Sequence, residues 1–395
     1  MSSRLIADVV HTSLNPRGGS ERVAIATIRA LLERDDCEVR LNTYERPDLP
    51  QLAASYGQSV VTLLQRVKSI VILQSIEKRN LSGPSDLTIN THGDLLPIFH
   101  HNMTKTNSIV YCHFPLAKYL IDGGFPEYFG LIHHSHILGR AEAVRTRFLA
   151  VAKNNYIQMI RNSSVLTNSE YSRRAIWKTF GTDSTVLSPP VEVERFRSAV
   201  WLSRSCKQYA SRILVISRLH HTKKIENAIR LAELIKKNRI AEGITIVGNV
   251  SPEGLQYYCH LKQKVKEYNL GKYVKFEINT NFEKLIDLMH RSKVYLHPLP
   301  GEPFGISVVE AMSAGLIPVV PDIGGYTEFV PSKYQYHTFG GAVEAIANAI
   351  EAPYSERNQL SESVRKFSVS NYIQSFQKIV SRLSEQTSVV KNKAT

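Results

Sequence analysis

Val294-Tyr295-Leu296-His297-Pro298-Leu299-Pro300-Gly301-Glu302-Pro303-Phe304-Gly305-Ile306-Ser307-Val308-Val309-Glu310-Ala311-Met312 is the stretch on which the reading of this chain turns. A short apolar, β-prone run ends at His297-Pro298, and a helical pattern begins after Gly305 and stops near Gly315. Pro303 and Gly305 shape a tight turn between the two. Such a strand–turn–helix unit lets the first backbone N–H groups of the helix face an anion. Glu302 sits in the loop. Glu310 lies more than a turn into the helix, about 8 Å along the axis from Gly305 at 1.5 Å per residue. Carboxylates so spaced can hold hydroxyls at opposite ends of an extended ligand with a phosphate between them. The competing reading is an acid at the helix N-terminus plus an exposed helical Glu, which suits the macrodipole equally well.

The same alternation runs outward through the chain. Short apolar runs flanked by turn residues occur at 5–10, 87–90, 108–112, 164–167, 213–216, 244–247, 274–276, 294–296 and 317–320. Runs of this kind read as strands buried on both faces of a parallel sheet. Amphipathic helical patterns at 22–33, 225–237 and 283–290 lie between them. The expected fold is α/β, two Rossmann-like doubly wound domains facing a central cleft, with ligands at the carboxyl ends of strands. Ser188-Pro189-Pro190 can continue neither a helix nor a central strand, so the division is expected there, giving domains 1–187 and 188–370. A last amphipathic segment and polar tail, 371–395, could pack on either domain, including back on the N-terminal one.

Composition narrows the classes. The chain has 395 residues, of which 43% are hydrophobic and 21% charged, so wholesale disorder is excluded. The apolar stretch 60–73 is interrupted by Gln65, Arg66 and Lys68, which does not suit a spanning helix. The N-terminus lacks the pattern of a secretory signal, and Cys37, Cys112, Cys206 and Cys259 show no metal-ligand spacing. A reduced, cytoplasmic setting is the expectation. The formal charge of +14 is spread over both halves, +5 in residues 1–187 and +9 beyond, and calls for an acidic partner: phosphate, membrane or nucleic acid.

Several motifs together resemble retaining glycosyltransferase family 4. Glu302 and Glu310 match its Glu-x7-Glu element. The strand ending in Arg218-Leu219 and followed by Lys223 is similar to its diphosphate clamp. Ile246-Val247-Gly248, Gly324-Gly325-Tyr326-Thr327-Glu328, Gly18-Gly19-Ser20-Glu21-Arg22 and Thr167-Asn168-Ser169 resemble further elements in the family's order. Within it, Tyr111-Cys112-His113-Phe114-Pro115, Ser188-Pro189-Pro190-Val191-Glu192 and Gly315-Leu316-Ile317-Pro318 look closest to mannosyltransferases that extend lipid-linked, dolichol-type oligosaccharides.

The resemblance implies the two-domain GT-B architecture, with an acceptor-binding first domain and a nucleotide-sugar-binding second. It implies a retaining hexosyltransferase, metal-independent and without a cofactor beyond the co-substrate. GDP-mannose is the expected donor and a polyprenyl-linked glycan the acceptor, joined by an α-glycosidic bond. A UDP-sugar transferase acting on another acceptor is the alternative within the family; a basic nucleic-acid-binding Rossmann protein is the alternative outside it. The implied catalytic residues are His113, Arg218, Lys223 and Glu302. The donor would be held by Gly18, Gly19, Arg218, Lys223, Glu302, Phe304, Gly305, Ile306 and Glu310. Arg218 and Lys223 would stabilise charge developing on the departing diphosphate. Lys224 is a neighbouring candidate, and His113 is read as a sugar-positioning group rather than a general base.

Other clusters carry less. His100-His101 and His133-His134-Ser135-His136 have no accompanying carboxylate motif, and the chain lacks Asp-x-Asp, so no metal is expected. No aromatic-interleaved basic run supports nucleic acid. The stretch 60–73 places Val60, Leu63, Leu64, Val67 and Val71 at helical spacing beside Arg66 and Lys68, and 139–161 is strongly basic. Either could lie on an anionic membrane surface, which suggests peripheral attachment to a cytosolic membrane face.

Overall fold

The computed structural model describes residues 4–16, 18–73, 84–93, 107–115, 154, 156–201 and 212–393. The chain forms two compact units, one of residues 1–190 and 369–395, the other of 191–368.

Unit one is built on a parallel sheet of β1 (Leu5–Val10), β2 (Cys37–Thr43), β3 (Ser69–Ile72), β4 (Leu87–Asn90), β5 (Asn107–Tyr111), β6 (Ser164–Thr167) and β7 (Thr185–Val186), ordered β3-β2-β1-β4-β5-β6-β7. Unit two repeats the plan with β8 (Arg212–Ile216), β9 (Gly243–Gly248), β10 (Val274–Ile278), β11 (Val294–Leu296), β12 (Ile317–Pro321) and β13 (Gln335–Tyr336), ordered β10-β9-β8-β11-β12-β13. Both orders reverse beside their first strand. That reversal leaves a crevice at the carboxyl ends of β1 and β4 in unit one, and of β8 and β11 in unit two.

Burial explains the strand sequences. Val294, Tyr295 and Leu296 of β11 are wholly buried, and so are Ile213, Leu214 and Val215 of β8 and Ile317, Val319 and Val320 of β12 beside it. Unit one differs, because Asp8, Arg40 and Asn42 are also buried in its sheet. Arg40 forms two hydrogen bonds to Asp8 across β1 and β2, at 2.8 and 3.0 Å, and Asn42 adds a third at 3.2 Å.

The helix Val369–Lys393 belongs to unit one. Its Tyr372, Ile373, Phe376 and Val380 enter that unit's core, and the Tyr372 hydroxyl lies 2.8 Å from Thr27 Oγ1 on the helix Gly19–Leu32. Gln377 and Arg34 add polar bonds along the same contact.

The stretch 60–73 is not a single amphipathic helix. It contains the end of the helix Gln58–Gln65, a turn, and the strand β3. Val60, Leu63, Leu64 and Val67 are buried in the core of unit one, so the apolar face read as membrane-facing is occupied by protein. The basic stretch 139–161 and the histidines His100, His101, His133, His134 and His136 lie wholly or largely outside the described residues. Among the described residues, no helix is long and apolar enough to cross a membrane.

Candidate functional site

The crevice of unit two is framed by the loops after β8 and β11. The first runs through Arg218 and Leu219 to the short 3-10 turn His221–Lys223. Lys224 then takes a left-handed conformation, φ 50°, and the helix Ile225–Lys237 begins. The second loop carries Glu302 and ends at Gly305, whose φ of 98° starts the helix Ile306–Ser313. A side chain at Gly305 would press on Val308 and Tyr326 at 3.0 and 3.2 Å, so glycine is required for both conformation and space.

These loops meet through one ion pair. Lys223 Nζ donates to both carboxylate oxygens of Glu302, at 3.1 and 2.9 Å, and each side chain keeps about a fifth of its surface exposed. Burial pushes the Glu302 carboxyl up, but Lys223, His297 and Arg218 together pull it down. The carboxyl is therefore held below its ordinary value. Arg218 is exposed beside this pair.

The loop holding Glu302 is braced from behind. Gly325 N–H donates to Glu302 O at 2.9 Å, and Gly301 N–H to Ile323 O at 2.7 Å. A Cβ on Gly325 would lie 2.0 Å from Pro303 O, which explains the paired glycines at 324 and 325. The Tyr326 hydroxyl ties Leu299 O and Ile323 O together at 2.9 and 2.7 Å. The Phe304 side chain is buried against Phe329 and Phe367, so only its backbone can face a ligand. Ile306 is half-buried at the start of the helix. Glu310 is buried, at 6% exposure, which removes the reading of it as an exposed helical acid.

The corresponding crevice of unit one holds Gly18, Gly19 and His113. Gly18 N–H donates to Glu21 Oε2 at 2.5 Å, closing the glycine loop onto the first turn of the helix Gly19–Leu32. Glu21 is itself buried and lies 3.7 Å from the buried His11. Burial opposes ionisation of Glu21, but the adjacent His11 prevails and brings its carboxyl down to about 2. His11 Nδ1 lies 2.9 Å from Thr91 Oγ1, and its ring stacks on His92 at 4.9 Å. His113 Nε2 donates to Thr91 O at 3.2 Å.

Two residues here were not singled out by sequence reasoning. His297 and His11 are both buried polar groups placed immediately after buried strands. A histidine directly after a buried strand was the available signal, because a buried ring nitrogen needs a defined partner.

Residues 207–368 match the family model described as glycosyl transferases group 1. The chain is 28% identical over 232 residues to a GDP-Man:Man(3)GlcNAc(2)-PP-Dol alpha-1,2-mannosyltransferase of Dictyostelium discoideum, covering 54% of this chain and 45% of the relative. A protein of the same description from Yarrowia lipolytica is 22% identical over 371 residues, covering 82% of this chain and 58% of the relative. This chain thus spans about half the length of such relatives. Among solved structures, a sucrose-phosphate synthase from Thermosynechococcus elongatus superposes with a TM-score of 0.64 at 14% identity, covering 98% of this chain and all of that one. Anabaena HepE in complex with UDP gives 0.61 at 17% identity, again over 98% and 100%.

The chain has the GT-B glycosyltransferase fold. Its second unit contains residues 207–368, the stretch that matches the glycosyl transferases group 1 model.

Proposed function

We propose that this protein is a retaining hexosyltransferase that moves mannose from GDP-mannose to a polyprenyl-linked oligosaccharide, forming an α-glycosidic bond. The observation that carries the reading is the Lys223–Glu302 pair, held at the crevice of unit two and beside the first turn of the helix Ile306–Ser313. The relatives described as GDP-Man:Man(3)GlcNAc(2)-PP-Dol alpha-1,2-mannosyltransferases support the choice of donor and dolichol-linked acceptor.

In this reading the bond from the sugar's anomeric carbon to the diphosphate breaks as the acceptor hydroxyl attacks the same face, the hydroxyl proton passing to the departing diphosphate oxygen. Negative charge grows on the leaving diphosphate. Lys223 and Arg218 stabilise that charge more in the transition state than in the ground state. The amides of Phe304, Gly305 and Ile306 face the donor, and Glu302 accepts from a hydroxyl of the sugar. Glu310 holds the ribose hydroxyls. Gly18 and Gly19 allow close backbone approach to phosphate, and His113 contacts the transferred sugar. No metal or further cofactor is assigned a role. The lipid-linked acceptor calls for peripheral attachment to an anionic, cytosolic membrane face, and nucleic acid is not a partner.

A thermal-shift panel tests the donor. GDP-mannose is expected to raise the midpoint above UDP-glucose, UDP-N-acetylglucosamine and the free nucleotides, because a ligand that binds only the folded state stabilises it by mass action. A larger shift from a UDP-sugar would transfer the reading to the UDP-using alternative. No shift from any nucleotide sugar would overturn it.

A further inference from the structure

His297 follows β11 at the base of the Glu302 loop and is 4% exposed. Its backbone is fixed on both sides. The N–H donates to Val319 O at 2.9 Å, and the carbonyl accepts from the Tyr336 hydroxyl at 3.0 Å. The ring meets Tyr326 edge to face at 5.1 Å. Nδ1 lies 3.0 Å from the Tyr295 hydroxyl, which in turn lies 2.8 Å from Ser307 Oγ. Nε2 is buried with no hydrogen-bond partner, and Glu302 Oε2 is 3.8 Å away.

This arrangement selects a tautomer. Burial, offset in part by Glu302 and reinforced by the Lys223 charge, pushes His297 down to about 4, so its ring is neutral near pH 7. Were the proton on Nδ1, the Nε2 lone pair would face a carboxylate across a buried gap. With the Tyr295 hydroxyl donating to Nδ1, the proton sits on Nε2 and points its positive end at Glu302. The second arrangement is electrostatically favoured.

Lys223 has two demands on it. It now donates to both oxygens of Glu302, yet under the proposed function the same ammonium serves the diphosphate of the donor. A diphosphate carries more charge than a carboxylate and draws the ammonium toward itself. Arg218, the other cation acting on Glu302, is drawn the same way. Glu302 then requires another donor to remain ionised and aimed.

We propose that His297 is a positioning residue for Glu302, its Nε2–H taking hold of the carboxylate when Lys223 turns to a bound diphosphate. This rests on the proposed function for the identity of the ligand, and on the 3.8 Å approach for the pairing. A closure of about 1 Å brings nitrogen and oxygen to ordinary hydrogen-bond distance.

Two variants test it. His297→Phe keeps an aromatic ring against Tyr326 and removes the donor, whereas His297→Gln retains an N–H at similar reach. His297→Phe is expected to lower kcat about tenfold or more, the scale of one hydrogen bond to a charged group, with GDP affinity unchanged. His297→Gln recovers most of that loss. Loss of the donor raises the Glu302 carboxyl, so the acid limb of kcat in His297→Phe moves to higher pH. Wild-type kcat and acid limb in His297→Phe, or equal losses in both variants, would overturn the role.

A carboxyl-carbon NMR titration of Glu302, run with and without inorganic pyrophosphate, reads the pairing independently of turnover. With pyrophosphate present, the Glu302 carboxyl should titrate at higher pH in His297→Phe than in wild type; identical titrations overturn the proposal. Failure of every nucleotide to bind wild-type protein would instead overturn the proposed function, and this titration would still decide His297.

Discussion

The two crevices are built on one plan and use their charges in opposite ways. Each has a buried histidine at a strand end with a glutamate just under 4 Å away, His11 with Glu21 and His297 with Glu302. In unit one the carboxylate turns inward, is 3% exposed, and caps the Gly18 amide. In unit two it stays about a fifth exposed and pairs with a lysine from the neighbouring loop. The sheets repeat the contrast, since β1 and β2 bury Asp8 and Arg40 while the central strands of unit two are apolar. Shared topology thus supplies the position of a charge. Its direction decides whether it stabilises the loop or is offered to a ligand.

Substitutions should break that contrast in different observables. Glu302→Ala and Lys223→Ala are each expected to lower transfer by about a thousandfold or more, the scale of losing a transition-state partner, while the urea midpoint stays near wild type. Sugar-transfer assays beside urea curves check this, and full activity in both variants would sink the assignment.

Next in size is Arg40→Met, which leaves Asp8 buried without its cation and should destabilise the protein by about 3–5 kcal/mol. Urea unfolding measures it; a loss confined to activity would contradict the structural role. The smallest of these effects is expected from Glu21→Gln, about 1–3 kcal/mol at pH 7. Its pH dependence has a definite sign. The Glu21 carboxyl lies lower in the folded protein, about 2 against an ordinary 4.5, so its stabilisation is complete above pH 4.5. It fades as pH falls from there through 2. The gap between wild type and Glu21→Gln in urea titrations should close over that window, and a gap constant with pH would show that the carboxylate's charge is not involved.

Unit two was the more legible half, and the reason lies in its sheet. Its five longest strands are each built around an apolar run and follow the expected positions within a residue or two. Unit one concealed β2 because Arg40 and Asn42 occupy buried positions that a search for apolar runs passes over. β3 was concealed differently: Val60, Leu63, Leu64, Val67 and Val71 continue one helical spacing across the turn into the strand. β7 and β13 have two residues each, too short for any periodicity. At the site, the spacing of Glu302 and Glu310 was visible because both lie on one loop-and-helix segment. The approach of Lys223 to Glu302 spans 79 positions and was reachable only through a family resemblance. His297 stood in the quoted stretch, but its role depends on Tyr295, Ser307 and Glu302 converging around one ring.

The central claim is that the outward-facing charge of unit two recognises a diphosphate. Isothermal titration of GDP into wild-type protein and into Lys223→Ala tests it most directly. The account predicts saturable binding to wild type, weakened about tenfold or more in the variant by the loss of a charge-assisted contact, with the two proteins melting at similar temperatures. Equal affinity in the two proteins, or no binding to either, would contradict it.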